Sequence, residues 1–89
     1  MSRKAAKKLE RMRRTKSGWR PHDFHTLYLG FGFIIKGRKH DVFEHPDFPQ
    51  IRDAIPRHDR ELPSGYAKDA VKNIDLLLRL KKEREDRDE

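Results

Sequence analysis

The residues most able to do chemistry in this 89-residue chain are crowded into one stretch, Lys36 to Pro46, "KGRKHDVFEHP". Histidine is the one side chain whose ordinary pKa lets it give and take protons near neutrality. His40 follows directly on Arg38 and Lys39, with Lys36 just upstream. Cleavage of an RNA phosphodiester needs a base for the 2′-hydroxyl, an acid for the leaving 5′-oxygen and positive charge beside the phosphate. His40 and its neighbours can supply a proton-transfer group and the charge. The same pattern also describes a histidine that is simply exposed in a basic turn.

Other constellations are poorer. His22 and His25 are spaced i, i+3, and His45, Asp47 and His58 could converge from loops. No pair has the HExxH spacing and there is no cysteine, so no metal site or other cofactor is expected. Ser17, Thr26 and Ser64 show no sign of an activating base, and Ser64 suits a helix cap. The "GFG" at Gly30–Gly32 is too short for a phosphate loop and suits a helix end. Trp19 could stack on a base, but it and Tyr66 read more simply as packing residues.

These side chains need a scaffold. Arg3 to Arg14 is rich in helix formers, with Ala5, Leu9 and Met12 forming a thin apolar stripe. "TKSGWRP" breaks that pattern, and a second short helix is expected from about His22, with Phe24, Leu27 and Tyr28 on one face. "FGFIIK" and "DVFEH", separated by Gly37, read as a hairpin. "HPDFP" is a loop, since two prolines in four residues do not fit a central strand. "QIRDAI" gives a third strand ended by Pro56. Pro63 and Ser64 then start a helix with Ala67, Ala70, Val71, Ile74, Leu77 and Leu78 at helical spacing, and the polar "EREDRDE" is expected to fray.

The order is α-α-β-β-β-α, a small α+β domain with helices on one side of a three-stranded sheet. Strand alternation then puts Asp41, Phe43 and His45 on one face and Val42 and Glu44, with His40, on the other. With Phe43 toward the helices, His40 faces the open side.

Size and charge narrow the class. One small core is all the chain can bury. No stretch approaches the roughly 20 apolar residues of a membrane span, and no secretory signal is apparent, so a cytoplasmic protein is expected. The net charge of +7 is not spread evenly. Residues 2–20 hold nine Lys or Arg against Glu10 alone, while residues 21–78 hold eight bases and nine acids. Such an arm can attract a polyanion, most simply nucleic acid; it can equally be a solvated helix face.

From about Leu9 to Leu78, "KLERMRR", "GFGFII", "KHDVFEHP" and "AIPRHDRELPSGYAKDAVKNIDLL" occur in an order and spacing that resembles the HicA-like mRNA interferases, the toxin halves of HicA–HicB toxin–antitoxin pairs. The resemblance implies a fold like a double-stranded-RNA-binding domain, cleavage of mRNA without the ribosome, and a HicB-type antitoxin partner that covers the active surface. It makes His40 the catalytic histidine, a single general acid or base. The cations read from the sequence, Lys36, Arg38, Lys39 and Arg57, are then the expected RNA contacts, and His58, which matches a histidine frequent in the family, is expected in a supporting role. One departure stands out: Arg38 and Lys39 occupy the places of a Gly-Ser pair, and Gly37 comes one residue early. On this reading residues 1–20 are a basic helical arm, 21–82 the HicA-like domain and 83–89 a polar tail. Two readings remain beside the nuclease, an RNA-binding module that does not cut and a protein that only binds a partner.

Overall fold

A computed structural model describes residues 2–88. It contains helices α1 (Arg3–Arg14), α2 (Pro21–Gly30) and α3 (Ser64–Asp88) and strands β1 (Ile34–Lys36), β2 (Asp41–Glu44) and β3 (Arg52–Ile55). The α+β order expected from the sequence is the order observed.

Each helix starts where the chemistry allows. The Ser2 hydroxyl accepts from the Ala5 N–H at 3.2 Å and caps α1. Pro21 opens α2, where its missing N–H costs nothing, and the Asp23 carboxylate accepts from the Arg20 N–H at 2.9 Å. The α1 stripe of Ala5, Leu9 and Met12 is buried in the same core as Phe24, Leu27 and Tyr28 of α2 and Ala67, Ala70, Ile74 and Leu77 of α3. The basic helix is thus built into the domain rather than projecting from it. Two ion pairs hold it there. Lys8 meets Asp23 of α2 at 2.6 Å, and Arg13 makes a two-pronged contact to Asp75 of α3 at 2.6 and 2.9 Å. Trp19 seals the joint, its indole N–H donating to the Thr15 carbonyl and its own carbonyl accepting from Leu62.

The sheet is antiparallel in the order β1-β2-β3, with Ile35 opposite Phe43 and Phe43 opposite Asp53. These residues share the helix-facing side. Phe43 stacks on Tyr28 with ring centres 5.1 Å apart. The Tyr28 hydroxyl donates to Asp53 at 2.8 Å and accepts from Asn73 of α3 at 3.0 Å. Asp53 is therefore a carboxylate on the covered face, and burial pushes its pKa up although the tyrosine hydrogen bond opposes the shift. The other sheet face, which no helix among the described residues covers, carries Lys36, Glu44 and Arg52.

The C-terminal end departs from expectation. The polar run expected to fray is helical over residues 83–88, because α3 runs on to Asp88, and Glu89 lies outside the described residues. The run's Glu and Arg residues are strong helix formers, and Arg79 and Glu83 stand 4.0 Å apart at i, i+4. Arg84 also turns back to the body of the protein, 5.0 Å from the centre of the Phe48 ring and 3.6 Å from Asp47.

Candidate functional site: a braced cationic turn and a histidine cleft

β1 ends at Lys36 and β2 begins at Asp41, so Gly37 to His40 must reverse the chain. Gly37 does so with φ +102°, a conformation that favours glycine, and a Cβ there would stand 2.6 Å from the His40 carbonyl oxygen. Arg38, Lys39 and His40 are all exposed. His40 lies in the bend before β2 and not in the strand itself, so strand alternation does not fix its direction.

The turn is held from below by Arg57, in the segment after β3. Its guanidinium donates to the Arg38 carbonyl at 2.7 Å and to the Gly37 carbonyl at 3.4 Å. Its Nε donates to Asp41 at 2.9 Å. A planar guanidinium with donors on three sides suits this task, which lysine could not perform. Arg57 thus joins the turn but spends its donors on protein groups.

Lys36 is also engaged. Its ammonium lies 2.7 Å from Glu44 on the open sheet face. His58 is near Arg57 in sequence but faces elsewhere, and its Nδ1 accepts from the Arg60 N–H at 3.1 Å. The structure therefore groups Arg38, Lys39 and His40 on one exposed turn, braces that turn with Arg57, pairs Lys36 with a carboxylate and places His58 in a different recess.

That recess is a cleft of ≈ 390 Å³ to which His22, His25, Asp41, Arg57 and His58 all contribute. His25 Nε2 lies 2.9 Å from Asp41 Oδ2, and the imidazole packs edge-on against Phe43 at 4.9 Å. Sequence reasoning does not anticipate the His25–Asp41 pair. The clue is present, since a carboxylate on Phe43's face of the strand has to find a partner under the helices. Of the i, i+3 histidines of α2, His25 supplies that partner.

His45 is a core residue. It is only 3% exposed, rests against Phe33 and Phe48, and accepts at Nδ1 from the Asp47 N–H. Burial holds its pKa below the ordinary histidine value, and Lys81 and Arg84 push the same way. Among the described residues no three histidine or acidic side chains are grouped to hold a metal ion. Nor is any helix among them long and apolar enough to cross a membrane.

No family model, curated protein or solved structure matches this chain.

Proposed function

We propose that the protein is an RNA endoribonuclease of the toxin type, acting on mRNA in the cytoplasm, with His40 as its general acid or base. The observation that carries this reading is the exposed Arg38–Lys39–His40 run on a turn fixed by Arg57. A phosphodiester laid across the turn meets two cations with a proton-transfer group beside them. The run α2-β1-β2-β3-α3 also has the element order of the RNA-binding fold that the HicA-like sequence pattern implies. Arg38 and Lys39 hold the phosphate in this scheme, Lys36 contributes weakly from its pair with Glu44, and Arg57 acts mainly by keeping the turn in shape. Exposed cations along α1 add affinity that does not depend on sequence. A HicB-like antitoxin would silence the enzyme by covering the turn and the open sheet face.

One observation favours a second reading, an RNA-binding module that does not cut. Arg38 and Lys39 stand where the family pattern has Gly-Ser. Incubating the purified protein with a long RNA separates the readings. A nuclease shortens the RNA without added metal, a binding module shifts its mobility and leaves it intact, and a pure partner-binding protein does neither. Expression should arrest growth, and co-expression of the adjacent open reading frame should relieve the arrest.

A further inference from the structure

The cleft beside the turn contains polar groups that neither the core nor the turn requires. It opens where the start of α2, the start of β2 and the segment after β3 meet, and His22, His25, Thr26, Asp41, Arg57 and His58 line it. Asp41 is the one carboxylate among the lining residues, and both of its oxygens are taken. Oδ2 faces His25 Nε2 at 2.9 Å and Oδ1 accepts from Arg57 Nε at 2.9 Å. Asp23, 3.5 Å from His22 Nε2, is itself paired with Lys8 at 2.6 Å. The negative charge around the cleft is therefore already compensated.

What remains is a set of donors. Because His58 accepts a hydrogen bond at Nδ1, the proton of its neutral form sits on Nε2. His22 is 75% exposed at the side chain, and its ring is open to a ligand. His25 keeps Nε2 on Asp41, and its second ring nitrogen, Nδ1, has no hydrogen-bond partner among the described residues. Among the described residues no three histidine or acidic groups are arranged to hold a metal ion, whereas imidazole N–H donors with no uncompensated carboxylate beside them suit an anion. Charge-assisted hydrogen bonds from such groups are the ordinary way to hold phosphate.

We propose that this cleft binds a phosphate group through His25, His58 and His22. The volume of ≈ 390 Å³ leaves room for the sugar attached to such a phosphate. Arg57 forms the shared wall, bonding to Asp41 on the cleft side and to the Gly37 and Arg38 carbonyls on the turn side. A nucleic-acid strand crossing the turn can therefore seat a neighbouring phosphate in the cleft. That last step rests on the RNA reading above; the phosphate site itself does not.

The test is an NMR titration of the full chain, following the ring Cε1–H signals of all five histidines. Inorganic phosphate is added in one arm and a 3′-mononucleotide in the other. Saturable shifts of His25 and His58 are expected in at least one arm, and tighter binding of the nucleotide identifies a nucleic-acid source. His58→Gln, at a partly exposed position, and His25→Gln should each weaken binding by about tenfold, the loss of one charge-assisted bond. A melting curve establishes that each variant is folded, and His58→Gln carries the test if His25→Gln does not fold. Shifts confined to His40, or equal affinity in folded variants, would overturn the proposal. An RNA-cleaving protein with no phosphate shift in the cleft would refute this site alone, and a phosphate-binding protein that never cuts RNA would refute the nuclease alone.

Discussion

Five histidines occupy three environments in this chain: His45 in the core, His22, His25 and His58 around the cleft, and His40 on the open turn. The first makes stability depend on pH. Its folded pKa lies below the unfolded value of about 6.5, because burial and the nearby Lys81 and Arg84 disfavour the charged ring. The folded state therefore resists protonation there. The His45 contribution is complete above the unfolded value and is lost as pH falls through the folded one. Melting temperature should drop as pH is lowered from 7 toward 5, and His45→Gln should flatten that part of the curve. A wild-type melting temperature indifferent to pH across this range would contradict the assignment. Gly37 supplies a second residue-level test. Gly37→Ala forces an L-residue to φ +102° with its Cβ against the His40 carbonyl, at a cost of about 1–3 kcal/mol. Chemical denaturation should show this loss, with the turn amides exchanging faster.

At the scale of elements, the packing of α1 on α2 turns on one close approach. A Cβ at Gly30 would collide with the Cβ of Ala5, and the Ser2 N–H donates to the Gly30 carbonyl at 3.2 Å. Gly30→Ala must push the start of α1 outward. The expected destabilisation is about 1–3 kcal/mol by urea denaturation, the usual cost of overpacking. An unchanged midpoint would mean that α1 does not rest on α2 as described. The same close approach shows where sequence reading stops. The Ala5–Leu9–Met12 stripe says that α1 has one apolar side but gives no docking site. The Gly30–Ala5 fit and the Arg13–Asp75 pair, 62 residues apart in sequence, come only with the fold. The strands are more legible, because Phe43 alternates cleanly and Pro56 marks the stop. The alternation rule fails at His40 for a local reason, since Gly37 makes the chain bend until Asp41. The end of α3 is hidden from sequence because a polar run looks weak on its own, although Arg84 finds Phe48 and Asp47 to hold on to.

For the whole molecule, the excess of positive charge matters most. All of it lies in residues 2–20, and α1 buries only its narrow apolar side. Lys4, Lys7, Arg11 and Arg14 follow one another along the helix at intervals of three and four, and all are exposed. Such a row can follow a phosphate backbone. RNA affinity should therefore fall steeply with salt. Replacing these four residues by Gln should reduce the slope of log K against log salt by about 0.7 for each phosphate that is no longer neutralised. The substitutions touch no core residue, so the melting temperature should hardly move. An unaltered slope would show that the arm is a solvated face and that the turn and cleft do the binding.

The central claim is that His40 transfers a proton during RNA cleavage, and a single-turnover comparison of wild type with His40→Ala tests it most directly. Because His40 is exposed and outside the core, the variant should melt at the wild-type temperature and bind RNA with similar affinity. Its cleavage rate should fall by about 10²–10⁴-fold, the usual worth of a positioned acid or base. A folded His40→Ala protein that cuts RNA at close to the wild-type rate would contradict the account.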